Sequence, residues 1–108
     1  MAVSTRYATT EPTRVEVGEI GGAAVLEFGS PTCGFCRAAQ PAIEAAFSGH
    51  DGVTHLKIAD GSGRPLGRSF RVKLWPTLVF LKDGHEVARL VRPEDDEPIR
   101  AALQKIAA

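Results

Sequence analysis

Hydrophobic residues occur along this chain in two kinds of spacing, and each kind predicts a different element. Short apolar runs, whether continuous or alternating with polar residues, predict strands. Strands are predicted at residues 24–28, 53–59, 77–81 and 86–91, with a short edge strand at 14–17. Apolar residues that recur every three or four positions predict helices. Helices are predicted at residues 33–48 and 65–72, with a last one that opens at 94–97.

The order of these elements predicts an α/β fold. Helical connections join the strands up to the middle of the chain, which favours parallel pairing, whereas the turn at Asp83-Gly84 joins the last two strands as an antiparallel hairpin. We therefore expect a three-layer α/β/α sandwich around a central mixed sheet of four to five strands. Residues 1–12 predict a loose N-terminal segment, and residues 13–108 a single domain without repeats or linkers.

The composition is that of an ordinary globular domain. The chain has 108 residues, of which 44% are hydrophobic and 24% charged, enough to bury a core without disulfide or metal staples. Its 13 basic residues balance 13 acidic ones, which argues against nucleic acid or an acidic membrane surface as the main partner. We find no signal peptide and no apolar run long enough to span a membrane. We therefore expect a cytoplasmic monomer, in a compartment where thiols stay mostly reduced.

The only two cysteines, Cys33 and Cys36, carry the candidate chemistry. The pair follows a hydrophobic strand and opens a helix, a context that makes it more specific than an isolated C-x-x-C motif. The first turn of a helix has unpaired N–H groups and the positive end of the helix dipole, and both stabilise a thiolate at Cys33. Cys36 lies one turn deeper on the same face and should be more buried. The spacing therefore predicts a nucleophilic Cys33 and a resolving Cys36.

Other interpretations of the pair remain open. Two buried cysteines can be inert, and the cysteine pair together with His50 and His55 satisfies a Cys2His2-like zinc spacing. Such a zinc site needs its cysteines on a short hairpin and both histidines on one helix, whereas here the cysteines open a helix and His55 falls in a strand. The sequence has no Gly-rich phosphate loop and no carboxylate pair that would suggest a different catalytic activity. We therefore expect neither a metal nor a cofactor.

Several motifs together resemble the thioredoxin family. They are Val25-Leu26-Glu27-Phe28 at the end of a strand, Cys33-Gly34-Phe35-Cys36, Pro41, Trp75-Pro76-Thr77 at the start of the next-to-last strand, and the Asp83-Gly84 hairpin. The resemblance covers roughly residues 15–107 and implies the thioredoxin fold. The first helix of that fold is expected to be missing, because only about seven residues separate Val17 from Val25.

The resemblance also implies roles for residues around the cysteine pair. Pro76 is expected to be a cis-proline that faces the cysteines, and the backbone of Trp75 to pair with the substrate like an added strand. Trp75, Pro76 and Thr77 are together expected to hold the substrate. Glu27 occupies the position of a buried acid that helps to deprotonate the resolving cysteine through water. Lys57 matches the lysine that pairs with this acid.

The sequence departs from the family pattern around the substrate groove. Thr32 stands where thioredoxins usually have a tryptophan, Phe35 replaces the usual proline between the cysteines, and Leu74 replaces a glycine. Residues 91–93 replace a glycine-containing turn of the groove rim. These differences concern recognition by the usual reductase rather than the thiol chemistry.

The expected function is that of a thioredoxin-like thiol–disulfide oxidoreductase that reduces protein disulfides. Its electrons are expected from an unidentified thiol or reductase. An alternative of another class is a redox-sensing or partner-binding module whose cysteine pair changes state without turnover. An insulin-reduction assay with dithiothreitol separates the two, because only a catalyst turns over, and stoichiometric bound metal would identify the zinc alternative.

Overall fold

One mixed sheet organises the molecule, which a computed structural model describes at residues 6–8 and 10–107. The elements are α1 (Arg14–Gly18), β1 (Ala23–Gly29), α2 (Gly34–Phe47), β2 (Thr54–Ala59), α3 (Pro65–Ser69), β3 (Thr77–Lys82), β4 (His85–Val91) and α4 (Asp96–Ile106). The strand order is β2-β1-β3-β4. β1 runs parallel to β2 and antiparallel to β3, and β3 and β4 form the predicted antiparallel hairpin. The expected α/β fold with a central mixed sheet is confirmed.

Alternation along the central strand β1 separates two hydrophobic cores, one on each face of the sheet. Val25 belongs to the core that β1 and β3 form with α2 and α4. Leu26 and Phe28 belong to the core against α1 and α3. Glu27 lies two positions after Val25 on the same strand, so its side chain faces the layer of α2. This alternation places a buried carboxylate beneath the helix that begins at the cysteine pair.

The predicted edge strand at residues 14–17 is wrong, because this stretch forms the short helix α1. Thr13 caps the helix: its hydroxyl accepts the Glu16 N–H at 3.1 Å, and its own N–H donates to the Glu16 carboxylate at 2.8 Å. This reciprocal capping box satisfies two donors that a helix start leaves unpaired. The helix expected to be missing is therefore present as a five-residue turn, anchored by the fully buried Val17.

The N-terminal segment, expected to be loose, contacts the domain where the structure describes it. The Ala8 N–H donates to the Lys57 carbonyl of β2 at 2.7 Å. The Lys57 ammonium lies 4.9 Å from the centre of the Tyr7 ring. Further along, the Glu11 carboxylate accepts the Leu66 N–H at 3.3 Å. Residues 1–5 and 9 of this segment lie outside the described residues.

The remaining boundaries lie close to the predicted ones. α2 begins at Gly34 and continues through Pro41, and its buried face is the predicted one. α3 ends at Ser69, before the predicted limit of Val72. α4 begins at Asp96, two residues after Glu94, the first residue of the acidic run.

Candidate functional site

The cysteine pair lies at the start of α2, with the two sulfur atoms in different environments. Cys33 is the N-cap residue, and its sulfur accepts the Cys36 backbone N–H at 3.2 Å. An N-cap side chain that accepts a first-turn N–H is well placed to carry negative charge. Cys33 is partly exposed, whereas Cys36 is only 2% exposed. Both thiols are free. An accessible sulfur and a buried sulfur therefore lie one helical turn apart.

Cys36 is held in its protonated form by its surroundings. Burial raises the pKa of the Cys36 thiol to about 11, and the hydrogen bond and charge of Cys33 act in the same direction. Hydrogen bonds from the Ser30 backbone and the Tyr7 hydroxyl act the other way, without cancelling the effect of burial. At neutral pH, only about one in ten thousand Cys36 side chains is therefore a thiolate.

Tyr7 contacts the buried sulfur, and the sequence analysis did not identify it. Its hydroxyl lies beside the Cys36 sulfur, and hydrogen bonding between them raises the pKa of Tyr7 and lowers that of Cys36. Both groups lie over Gly29, where an added Cβ would be 2.6 Å from the Cys36 sulfur and 3.0 Å from the Tyr7 oxygen. Tyr7 and Cys36 line a small cleft of about 230 Å³ that also includes Gln40 and Lys57.

Glu27 lies at the centre of a buried polar cluster. Its Oε1 lies 2.9 Å from His55 Nε2, and its Oε2 accepts the Gln40 amide N–H at 2.8 Å. The Lys57 ammonium is 4.0 Å from Oε2 and donates to the Gln40 oxygen at 3.0 Å. Gln40 also donates to the Cys36 carbonyl at 2.9 Å, which links the cluster to the helix of the cysteine pair.

The predicted pairing of Glu27 with Lys57 is therefore a longer contact than the pairing with His55. Sequence reasoning treated His55 only as a zinc-ligand candidate and did not identify Gln40. The parallel register aligns Glu27 with Lys57 and Val25 with His55, and alternate residues of a strand share a face. This periodicity is the sequence signal that places His55 and Lys57 beside the carboxylate.

The Trp75–Pro76 peptide bond is cis, and the loop around it is tied to the rest of the molecule. The Trp75 indole N–H donates to the Asp60 carboxylate at 2.9 Å. Thr77 is 1% exposed, and its hydroxyl donates to the Leu74 carbonyl at 2.6 Å. Thr77 therefore stabilises the loop from inside, while Trp75 remains at its surface.

Arg92 connects this loop to the cysteine pair. Its Nε donates to the Trp75 carbonyl and its backbone N–H to the Pro76 carbonyl, each at 2.8 Å. Its guanidinium carbon lies 3.8 Å from the centre of the Phe35 ring, a cation–π contact with the residue between the cysteines. The cis-proline loop and the start of α2 therefore meet at the same end of the sheet.

A basic cleft of about 530 Å³ adjoins the cis-proline loop and includes Trp75 and Asp60 in its lining. Its cationic residues come from α3 and from the residues on either side of it: Arg64, Arg68, Arg71 and Lys73. Within the described part of the chain, none of these four forms an ion pair with a carboxylate. The cleft concentrates positive charge in a protein whose formal net charge is zero.

The zinc alternative required His50 and His55 beside the cysteines. His55 instead lies against Glu27, with its ring 4.7 Å from that of Phe47. Over residues 6–8 and 10–107, no group of three or more His, Cys, Asp or Glu side chains is placed to hold a metal ion. Over the same residues, no helix has the length and hydrophobicity that crossing a bilayer requires.

Two thiols one helical turn apart can form and break a disulfide between themselves while exchanging it with another molecule. A mixed α/β sheet that presents such a pair next to a cis-proline loop defines a thiol–disulfide oxidoreductase. Comparisons with known proteins narrow this class. The thioredoxin family model matches residues 6–105, so the chain belongs to the thioredoxin family.

Individual relatives agree with this assignment. The chain is 34% identical to thioredoxin of Chlamydia trachomatis over 85 residues, which are 78% of this chain and 82% of that protein. It is 30% identical to thioredoxin H2 of Arabidopsis thaliana over 82 residues, which are 76% of this chain and only 62% of the relative. The solved structure of reduced thioredoxin 2 from Pseudomonas aeruginosa PAO1 is 49% identical, with a TM-score of 0.85 and 96% of each chain covered. The expected function, a dithiol protein-disulfide reductase, is confirmed at the level of the family.

Proposed function

We propose that this chain reduces disulfides of protein substrates with Cys33 as the nucleophile and Cys36 as the resolving thiol. The observation that carries this assignment is the difference between the two sulfur atoms. Cys33 is accessible and accepts a first-turn N–H, whereas Cys36 is buried and protonated at neutral pH. Only the exposed sulfur can reach a disulfide on another protein.

The reaction proceeds in two exchange steps. The Cys33 thiolate attacks one sulfur of the substrate disulfide, which forms a mixed disulfide and releases the other substrate sulfur as a thiolate. Cys36 then loses its proton to solvent and attacks the Cys33 sulfur, which forms the Cys33–Cys36 disulfide and expels the second substrate thiolate. Two electrons pass from the protein to the substrate, and the leaving thiolates take protons from water.

The substrate chain is proposed to lie along Trp75 and Pro76. The geometry that supports this is the chain of contacts from Phe35 through Arg92 to the Trp75 carbonyl. Because Arg92 already donates to that carbonyl, a substrate N–H must share or replace this hydrogen bond. Thr77, which is buried and bonded to Leu74, is proposed to shape the groove rather than to touch the substrate.

Glu27 and Lys57 are proposed to act on the site through Gln40. Both oxygens of Glu27 already have close polar partners, and the Gln40 amide donates to Glu27 and to the Cys36 carbonyl. These contacts favour a positioning role for the carboxylate. The direct role as a proton acceptor for Cys36 stays a prediction, and a Glu27→Gln variant with an unchanged pH profile for resolution would remove it.

The cycle closes when an external donor reduces the Cys33–Cys36 disulfide. We propose a reductase or a small dithiol as this donor, in a cytoplasmic setting, with the chain acting as a monomer. Thioredoxins take electrons from a reductase in this way. The residues that differ from the family pattern, Thr32, Phe35 and Leu74, surround the site and are the positions at which donor preference would be set.

Turnover and thiol labelling test the proposal together. With dithiothreitol as electron source, the wild type should accelerate insulin reduction, and neither Cys33→Ser nor Cys36→Ser should complete the cycle. Iodoacetamide at neutral pH should alkylate Cys33 first, and Cys36 labelling should rise about tenfold per pH unit towards pH 11. Preferential labelling of Cys36 at neutral pH would reverse the assignment, and binding without turnover would support the sensor alternative.

A further inference from the structure

The Tyr7 hydroxyl lies beside the sulfur of the buried Cys36, where both face the backbone of Gly29 and line one cleft. It comes from the N-terminal segment, outside the C-x-x-C helix and the cis-proline loop. We propose that Tyr7 is a catalytic residue for the resolving step, in which its hydroxyl stabilises the Cys36 thiolate as it forms. This inference rests on the proposed role of Cys36 as the resolving thiol.

Gly29 makes this contact possible. A Cβ at residue 29 would lie 2.6 Å from the Cys36 sulfur and 3.0 Å from the Tyr7 oxygen, and real contacts of a Cβ are essentially never under 3.0 Å. The sulfur and the hydroxyl therefore meet over a backbone position that has no side chain. The end of β1 provides the space, and α2 and the N-terminal segment each contribute one of the two polar groups.

The position of Tyr7 is set by β2. The neighbouring Ala8 donates its N–H to the Lys57 carbonyl at 2.7 Å, and the Lys57 ammonium lies 4.9 Å from the centre of the Tyr7 ring. One residue thus holds both the backbone and the ring of this segment. Because the anchor is independent of the cysteines, the hydroxyl stays near Cys36 while that sulfur changes its protonation and bonding.

Burial and nearby negative charge keep the Tyr7 hydroxyl protonated. Burial raises the pKa of Tyr7 above its ordinary value, and negative charge on Cys36, Glu27 and Cys33 acts in the same direction. Arg37 of α2 and Lys57 of β2 line the same cleft and are the cations that face it. Tyr7 is therefore a hydrogen-bond donor at neutral pH.

In the resolving step, Cys36 loses its proton to solvent while Tyr7 keeps its own and donates a hydrogen bond to the sulfur. The thiolate attacks the Cys33 sulfur of the mixed disulfide, the Cys33–Cys36 bond forms, and the Cys33–substrate bond breaks. The electron pair leaves on the substrate sulfur, which takes a proton from water. A hydrogen bond to a charged acceptor is stronger than one to a neutral acceptor, so the contact favours the reactive form.

Glu27 does not compete for this role, because its two oxygens lie against His55 and Gln40. Gln40 reaches Cys36 only at the backbone carbonyl, at 2.9 Å. Tyr7, in contrast, acts on the Cys36 sulfur itself. The carboxylate cluster and the tyrosine therefore act at different atoms of the same residue.

The test uses Tyr7→Phe, which keeps the ring over Lys57 and removes only the hydroxyl. Reaction of the reduced protein with an aromatic disulfide that releases a coloured thiol gives two phases, attack by Cys33 and then resolution by Cys36. The second phase should slow about tenfold, which corresponds to one hydrogen bond to a charged group. Its pH profile should move to higher pH, because the thiolate has lost a stabilising donor.

Thr10→Val is the matched control, since it removes a hydroxyl from an exposed residue of the same segment. A second measurement is independent of turnover: the pH dependence of Cys36 alkylation in Cys33→Ser, compared with Cys33→Ser/Tyr7→Phe. The pKa of Cys36 should be higher in the double variant. Equal alkylation profiles, or a second phase as fast as that of the wild type, would overturn the role of Tyr7. If the wild type itself lacks a second phase, the proposed role of Cys36 fails instead.

Discussion

The buried cluster around Glu27 makes a quantitative prediction about stability. Glu27→Met keeps a side chain of similar length and flexibility but removes both acceptor oxygens. His55 Nε2 and the Gln40 amide then lose partners at 2.9 and 2.8 Å, and the Lys57 ammonium loses the carboxylate 4.0 Å away. Each lost hydrogen bond to the charged carboxylate costs about 1.5–3 kcal/mol, while the desolvation cost of the carboxylate is recovered. We expect a net loss of about 3 kcal/mol.

Urea unfolding at pH 7, followed by circular dichroism, measures this loss. With a slope of about 1.5 kcal/mol per molar urea, the midpoint should fall by about 2 M without a change in slope. Glu27→Gln is the matched control. The oxygen of the new amide can accept from Gln40, and its N–H can donate to His55 once His55 changes tautomer. The loss of stability should therefore be about 1 kcal/mol.

The loss of stability should come from donors that no longer have the carboxylate as their acceptor. Lys57→Met in the Glu27→Met background should therefore recover at least about 1 kcal/mol, since removing both members of a buried pair costs less than removing one. A Glu27→Met protein as stable as the wild type, or more stable, would refute the account. The carboxylate would then be a group that the fold tolerates rather than one that stabilises it.

Two further predictions concern the surroundings of the cysteines. Gly29→Ala should lower the stability by about 1–3 kcal/mol in the same urea assay, because its Cβ forces the Cys36 sulfur or the Tyr7 ring to move; unchanged stability would contradict the packing described here. The basic cleft should favour substrates with acidic residues beside the disulfide. At low salt, kcat/KM should be higher for a Glu-flanked peptide than for its Gln-flanked counterpart. This preference should weaken in Arg64→Gln/Arg68→Gln and above about 0.5 M salt. A preference that salt does not change would exclude the cleft as its source.

The fold was largely predictable because most of its elements carry strong local signals. β1 and β3 are buried on both faces and, apart from Glu27 in β1, read as apolar runs, and the Asp83-Gly84 turn marks the hairpin. α1 was missed because Val15 and Val17 alternate with polar residues as a strand would. Val15 is 71% exposed, however, and the T-x-x-E pattern from Thr13 to Glu16 is a helix-start signal that outweighs four alternating residues.

The site was predictable only where its residues are close in sequence. Cys33 and Cys36 share one helical turn, so their spacing alone implies their chemistry. The partners of Glu27 come from β2 and from the second turn of α2, and they meet only when the parallel register of β1 and β2 is known. Tyr7 carries no sequence signal of its role, because nothing in the local pattern of an N-terminal segment shows which strand it lies against.

The hydrogen bond between Ala8 and Lys57 also bears on the behaviour of this protein at high concentration. β2 is the outermost strand on its side of the sheet, and an outer strand offers unpaired backbone groups to which another chain can add. Ala8 occupies one of these acceptors, and the Tyr7 ring lies over the side chain of the same residue. The segment that supplies a hydroxyl to the redox site thus also covers part of an edge strand to which another chain could add. Shortening this end of the chain would therefore affect solubility together with catalysis.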